Sequence, residues 1–524
     1  MSSWALELVV ADDDDADSGV IALEALEALV PRFELTEDSS EVVRRTWLDT
    51  FDWRLHRAGL TLEHSEAARR GWLTMTSSGG ECISAAVDGI TWPSVVENLP
   101  STPIRDRLDG AAGIRALLPI AEARRSVRQI RVLNDDAKTV ARIGLDRPTT
   151  RRGARRTSHV HLTIVPVRGY TKEAEQIVEL LREVDGVEMS TTSVYEQALL
   201  TADREPASYS SKVNVSLSPS MSAPIAVSTV LHTFLGAMEA NVPGVIADVD
   251  TEFLHDLRVA VRRTRSVLKL TGDVLPGSMA ERFPPAFKWL GDMTTPTRDL
   301  DVFLLGFNAK AGDLRAADAA DLGPFRTHLA RRREAERRRL ARLLASSKFE
   351  RLLTDWRSAL DAVLAEGSDT AGALTAKGLA EQRISRAYRR VVKHGSAITL
   401  DSPAEDLHTL RKRCKELRYL LEIFSSVQDR TAHRRVVREL KELQECLGDF
   451  QDSEVQREAV TEFAAQMTSE ATVPASTILA MGELVAQLDA HQRWARSDYA
   501  GRFDRFMRHK NRRAFAQLTG ANVA

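Results

Sequence analysis

One stretch of this 524-residue chain occurs twice, and the duplication narrows its folds more than any other feature. The first copy reads His255-Asp-Leu-Arg258-Val-Ala-Val-Arg262-Arg-Thr-Arg265 and the second His408-Thr-Leu-Arg411-Lys-Arg-Cys-Lys415-Glu-Leu-Arg418, an offset of 153 residues. The offset holds without a gap from Leu231, matched by Ile384, to Asp301, matched by Glu454. Within that span Lys288-Trp-Leu290 answers Lys441-Glu-Leu443, and Asp299 answers Asp452. A shorter match, Phe349-Glu-Arg351 with Phe503-Asp-Arg505, sits at offset 154 and implies one inserted residue. A unit of this length is far longer than a solenoid repeat. It reads as two similar helical bundles related by a pseudo-twofold.

Each copy lays a basic stripe along a helix. At about 100° per residue, steps of 3, 7 and 10 stay within an arc of roughly 80°. His255, Arg258, Arg262 and Arg265 therefore share a face that Lys269 extends, and His408, Arg411, Lys415 and Arg418 repeat it. Like charges three and four apart repel, and a chain that accepts this cost twice is built to meet an anion. The alternative is a solvated flank beside the core arc of Leu254, Leu257, Val261 and Leu268, or ion pairing to Asp256, Asp299 or Asp452. Lys288 and Lys441 are candidates for the same groove, as are Arg386, Arg389, Arg390 and Lys393.

Net charge is −2, but residues 1–220 carry 26 basic and 34 acidic side chains and the remainder 46 and 40. Placement of charge, not bulk basicity, carries the argument. Cys82, Cys414 and Cys446 are too few and too scattered for a disulfide framework or a zinc site, which fits a reducing cytoplasm. No signal peptide is visible, and no 18-residue apolar stretch is recognised, so no membrane span is expected.

The first 203 residues read as an antiparallel α+β domain. Strands are expected at 5–10, 42–48, 126–133, 139–145 and 159–167, with helices at 21–30 and 170–184. Asn134-Asp135-Asp136 signals a hairpin. Asp12–Asp15 lacks EF-hand spacing and reads as a solvated loop. The basic run Arg151, Arg152, Arg155 and Arg156 has no aromatics and reads as a hairpin tip. Residues 204–223, rich in Ser and holding Pro206 and Pro219, are the linker, of which Lys212–Leu217 alternates like an edge strand. Beyond Pro224 the pattern is helical: a first half at 224–375, a second at 376–510 and a tail at 511–524. Helix stops are expected at Pro243-Gly244, Pro276-Gly277 and Gly395, and a start at Asp401-Ser-Pro403. Arg331–Arg339 is dense, mixed in sign and reads as a solvated helix. No nucleophile-elbow or catalytic-triad signature appears.

Over about residues 224–510 the chain resembles the CHAD family, the conserved-histidine α-helical domain. The resemblance rests on Leu254-His255-Asp-Leu-Arg258…Arg262-Arg263-Thr-Arg265, Leu407-His408-Thr-Leu-Arg411-Lys412…Lys415…Leu417-Arg418-Tyr419, Thr297-Arg298-Asp299-Leu300-Asp301 and Leu443-Gln…Leu447-Gly448-Asp449…Gln451-Asp452. It implies two four-helix bundles around a basic groove that binds inorganic polyphosphate; no cofactor or metal is expected. Taken with the stripes and the neighbouring basic positions, the candidate site comprises His255, Arg258, Arg262, Arg265, Lys269, Lys288, Arg386, Arg389, Arg390, Lys393, His408, Arg411, Lys412, Lys415, Arg418 and Lys441. Polyphosphate granules and a polyphosphate-metabolising enzyme are the cellular context it suggests.

The N-terminal region is similar to the CYTH, or triphosphate tunnel, fold. The similarity rests on Thr46-Trp-Leu-Asp49-Thr50-Phe-Asp52-Trp-Arg54-Leu…Ala58-Gly59-Leu60-Thr61-Leu62 and on Val132-Leu-Asn-Asp135-Asp136-Ala-Lys138-Thr-Val-Ala-Arg142. That family opens with Glu-x-Glu-x-Lys, whereas here the strand reads Leu6-Glu7-Leu8-Val9-Val10. Where the family has an arginine after its Gly-x-x-Leu turn, this chain has Glu63-His64-Ser65. The expectation is a catalytically degenerate tunnel. The competing functions are divalent-dependent triphosphate or polyphosphate hydrolysis in that tunnel, and nucleic-acid binding, which the 6% aromatic content disfavours.

Overall fold

The computed structural model describes residues 6–10, 18–68, 70–148, 159–211, 215–365, 374–470 and 473–520. Asp12–Asp15, Arg151, Arg152, Arg155, Arg156, Lys212–Asn214 and residues 521–524 lie outside them. The chain divides into two compact units, Met1–Ser210 and Ser211–Ala524, which meet inside the segment read as the linker.

The first unit is one antiparallel sheet flanked by short helices. In chain order its elements are β1 (Leu6–Val10), α1 (Ser18–Glu27), β2 (Glu34–Thr50), α2 (Arg54–Arg57), β3 (Leu60–Ala67), β4 (Arg70–Ser77), β5 (Cys82–Ala86), β6 (Ser94–Val95), α3 (Pro103–Ala112), β7 (Ala116–Leu133), β8 (Thr139–Pro148), β9 (Val160–Pro166), α4 (Thr171–Arg182), β10 (Val187–Met189) and α5 (Val194–Thr201). The strands pair in the order β10-β1-β9-β8-β7-β2-β3-β4-β5, with β6 on β7. One core lies under α1 and α4, where Leu8, Leu29, Ile143, Leu162 and Leu181 are wholly buried. A second gathers Leu55, Leu62, Ile104, Leu108 and Leu117. The Asp49–Arg54 motif is a structural corner. Trp53 takes a left-handed backbone (φ 58°), and the Asp49 carboxylate accepts from the Thr50, Leu55 and His56 amides, satisfying the orphan donors of α2.

The second unit is helical: α6 (Ala223–Ala247), α7 (Thr251–Thr271), α8 (Gly277–Leu305), α9 (Phe307–Gly312), α10 (Gly323–Leu344), α11 (Ser347–Ala365), α12 (Ala376–Gly395), α13 (Ala404–Ile423), α14 (Arg430–Glu470), α15 (Ala475–Phe506) and α16 (His509–Leu518). The repeat is visible in where helices begin, because α6, α7 and α8 start 153 residues before α12, α13 and α14. Hydrogen bonds obey it too. Ala223 N donates to Leu374 O (2.8 Å) and Ala376 N to Met221 O (2.7 Å), and shifting each partner by the repeat length exchanges the two bonds. A pseudo-twofold therefore runs between Ser222 and Thr375, which form the single bridge at that point.

Four expectations are corrected. Pro243-Gly244 does not stop α6, which runs to Ala247 because burial of its flank holds the turn, with the Phe253 ring packed on Gly244. The Phe349–Phe503 match does not hold: Phe349 opens α11 whereas Phe503 closes α15, and the helix bounds 344/506 and 347/509 put the late offset at 162. An apolar segment long enough to cross a membrane does exist, α6, whose best 18-residue window has mean hydropathy 1.2. Its Val227, Val230, Leu231, Phe234 and Leu235 are core residues, so the apolar run is already spent on packing. The segment read as a tail contributes α16, with Phe515 and Leu518 buried.

Candidate functional site

α7 and α13 pack against each other beside the pseudo-twofold. Two ion pairs join them, Lys269 Nζ to Glu416 Oε1 (2.7 Å) and Arg263 Nη2 to Glu422 Oε2 (3.1 Å). The repeat offset converts one pair into the other. Along one side of this seam α14 completes a groove of about 460 Å³. From α7 it takes His255, Asp256, Val259, Arg262 and Arg263. From α13 come Arg411, Lys415, Arg418, Tyr419 and Glu422, and from α14 Lys441, Gln444, Glu445, Gly448, Asp449 and Asp452. Helical spacing of 411, 415, 418 and 422 aligns the α13 contribution on one face.

The groove is basic but not uniformly so. Arg411 holds Asp452 (2.9 Å), Arg418 holds Glu422 (2.7 Å) and Lys441 lies 3.7 Å from Glu445. Two cations stand apart. Among the described residues neither Arg262 nor Lys415 has a carboxylate within 4 Å. Arg262 lies 6.0 Å over the Tyr419 ring. Lys415 is pushed down to about 8, first by burial, then by the charges of Arg411 and Arg262 and, more weakly, Arg418, with Asp452 opposing. A half-buried ammonium among guanidinium groups, lacking a counter-ion, is a site of positive potential. An anion placed there gains charge-assisted hydrogen bonds without first displacing an internal carboxylate.

Six of the sequence candidates thus line the groove: His255, Arg262, Arg411, Lys415, Arg418 and Lys441. His408 is turned instead to Gln451, its Nδ1 facing the amide oxygen. Arg258 enters the α7–α8 seam, donating to Thr295 Oγ1 (2.8 Å), Thr294 Oγ1 (3.0 Å) and Gly291 O (3.3 Å), and burial lowers its affinity for the proton. Arg265 lies across Gly291, where a Cβ would stand 2.6 Å from Nη1. Lys269 is spent on Glu416, and Lys412 approaches Glu405 at 4.0 Å. Lys288 is exposed on α8 and does not line the groove. Arg386, Arg389, Arg390 and Lys393 do not line it either, because they occupy the exposed face of α12. The stripe that looked equivalent in both copies is therefore used unequally. The positions answering Thr294 and Thr295 are Leu447 and Gly448, which offer no side-chain acceptor, and Arg411 pairs instead with Asp452 at the groove edge. Asp256, Glu422, Glu445 and Asp449 were not foreseen as lining residues, and Asp449 is held above the usual carboxylate range by burial.

A second constellation lies on the sheet of the first unit. Arg45 on β2 binds Glu63 through Nε (2.7 Å) and Nη2 (2.6 Å), and reaches Asp146 on β8 through Nη1 (2.8 Å). Arg125 on β7 also pairs with Asp146 and donates to His159 O (2.8 Å). Burial lifts the Glu7 carboxyl against the pull of Arg45, and lowers the His161 imidazole. The unit holds cations and carboxylates together on strands other than β1, and they neutralise one another. Glu63 supplies the only sequence hint, since it stands where an arginine was awaited. Among the described residues no cluster of His, Cys, Asp and Glu suits a metal ion.

The CHAD domain family model matches residues 229–461. No curated protein matches the chain. Among solved structures it is similar to the CHAD domain from the plant Ricinus communis, at 25% identity over 55% of this chain and 96% of that one, TM-score 0.46. PptA from Streptomyces chartreusis matches at 18% identity over 55% of this chain and all of that one, TM-score 0.43. The inorganic triphosphatase NE1496 matches at 9% identity over 38% of this chain and 95% of that one, TM-score 0.18.

Proposed function

Because residues 229–461 form a CHAD domain, we propose that the chain binds inorganic polyphosphate in the α7–α13–α14 groove without hydrolysing it. A CHAD domain supports a polyphosphate-related role, and one observation carries the finer reading: Arg262 and Lys415 stand in the groove without acidic partners. Polyphosphate presents a regular array of negative oxygens, matched by Arg through paired hydrogen bonds and by Lys as a point charge. Binding of this kind releases counter-ions, and the logarithm of its affinity falls linearly with the logarithm of salt concentration. Recruitment to polyphosphate granules, or presentation of polymer to a metabolising enzyme, follows from such an activity.

The test is polyphosphate affinity of the full chain over a salt series, with single-stranded RNA as competitor. Tight, salt-sensitive binding that resists RNA, and that falls at least tenfold in the Arg262→Gln, Lys415→Met double variant, supports the reading. Equal preference for RNA, or unchanged affinity in the double variant, refutes it.

The second reading, triphosphate hydrolysis in the first unit, draws on the grouping of Glu7, Glu63 and Asp146. Against it stands Arg45, whose guanidinium occupies the space among those carboxylates and satisfies two of them. We propose that the unit is a scaffold. Phosphate release from tripolyphosphate with Mg²⁺ or Mn²⁺, abolished by Glu63→Gln, would establish the enzyme instead.

A further inference from the structure

Four cations expected in the groove form a surface of their own. Arg386, Arg389, Arg390 and Lys393 are exposed at three- and four-residue steps over two turns of α12. Among the described residues none has a carboxylate within 4 Å. α16 packs on α12 through the stacked rings of Tyr388 and Phe515, 3.9 Å apart. It adds exposed Arg512 and Arg513, likewise without acidic partners, and holds no carboxylate of its own. Arg512 is near enough for its charge to act on the Tyr388 hydroxyl, so the α16 cations reach the α12 flank.

Elsewhere the chain treats a dense basic run differently. On α10, Arg331 holds Glu470, Arg333 holds Asp248 and Asp301, and Arg337 and Arg338 share Glu334. Four of the six arginines in that run are thus paired with carboxylates. The cations of the α12–α16 face are not, although their like charges repel at these spacings.

The chemistry of the face selects an occupant. Guanidinium groups bind phosphate oxygens in pairs. The two rings present, Tyr388 and Phe515, are stacked on each other, so nucleic-acid bases find no platform. The apolar residues of α16 point inward, leaving nothing to insert among lipids. A polymer of phosphate without bases fits best. We propose that α12 and α16 form a second contact for the polymer held in the groove, so that the protein selects long-chain over short-chain polyphosphate. The inference rests on the groove being the polyphosphate site. α13 connects the two surfaces, lining the groove while α12 packs against it. A helix is about 10 Å across, a span that a long chain bridges and a triphosphate does not. Once one surface is occupied, the second contact becomes intramolecular and gains effective concentration.

The experiment measures affinity of the full chain for tripolyphosphate and for long-chain polyphosphate at equal phosphate concentration. It compares the natural protein with an α12 variant (Arg386→Gln, Arg389→Gln, Arg390→Gln, Lys393→Gln) and a groove variant (Arg262→Gln, Lys415→Met). The natural protein should prefer the long polymer by roughly 100-fold. The α12 variant should lose that preference, bind tripolyphosphate as before and show a salt slope smaller by about 0.7 for each contact removed. Its exposed substitutions should leave thermal unfolding unchanged. Retained long-chain preference in the α12 variant overturns the second contact, as does equal loss of both ligands. If the groove variant alone loses tripolyphosphate, the groove reading survives that failure. If the natural protein binds neither ligand, the groove reading falls with the inference.

Discussion

A lysine on an open surface keeps its proton to about pH 10, whereas Lys415 in its groove gives it up near pH 8. Burial and the neighbouring guanidinium groups disfavour its charged form in the folded chain. In the unfolded chain that penalty is absent, so between about pH 8 and the ordinary lysine range the unfolded state binds more protons. Raising pH through that window therefore favours folding as far as Lys415 is concerned. Polymer binding has the opposite sign. Phosphate favours the ammonium, so affinity is complete below about pH 8 and declines as pH rises above it. Lys415→Met should weaken polyphosphate binding about tenfold, flatten this pH dependence and raise the melting temperature at pH 7. Lys415→Arg should hold its affinity above pH 8. Calorimetric titration at pH 7, 8 and 9, paired with thermal scans, checks both; a destabilised Lys415→Met protein with unchanged affinity would contradict the assignment. The basic stripe was legible as residues, because spacing alone placed His255, Arg262, Arg411, Lys415 and Arg418 on their faces. Which cations remain unpaired was not legible, since that depends on Thr294, Thr295 and Asp452 arriving from α8 and α14 and on Glu422 being shared between Arg418 and Arg263.

At the level of helices, the α7–α13 seam predicts its own energetics. Lys269→Glu sets a carboxylate against Glu416 and should lower stability, and adding Glu416→Lys should recover part of the loss. The coupling expected from a double-mutant cycle is about 0.5–1 kcal/mol, since the lysine is largely exposed. Equal and additive losses in both single variants would show that the pair is incidental. Gly395 gives a sharper test. It ends α12 as the sequence suggests, yet a Cβ there would stand 2.1 Å from the Phe503 ring. Gly395→Ala should therefore cost roughly 1–3 kcal/mol through overpacking, read from chemical denaturation. The start of α13 was legible from Asp401-Ser-Pro403, which sit just before Ala404. Pro243 misled because proline opposes a helix interior by its missing donor, whereas here the buried flank of α6 outweighs that cost.

Across the whole molecule the two units should fail separately. Asp146→Asn leaves Arg45 and Arg125 short of a buried partner and should destabilise the first unit by about 3 kcal/mol. Polyphosphate affinity should stay unchanged, a pairing of thermal and binding measurements that a shared site would not give. The ion network behind this prediction escaped the sequence because Arg45 and Asp146 lie 101 positions apart. The first half of β2 escaped for another reason. Its residues are solvated and held by cross-strand pairs such as Arg128–Glu37 and Arg131–Asp38, so no apolar alternation marks the strand. The duplication, by contrast, was plain from the outset, and its ion pairs carry a consequence for descent. The first copy supplies both cations of the seam, Arg263 and Lys269, and the second both carboxylates, Glu416 and Glu422. Two first copies facing each other would set Lys269 against Arg263, and two second copies would set Glu416 against Glu422. Neither copy can now stand in for its sibling: what began as one unit doubled has become a lock and a key carried on the same thread.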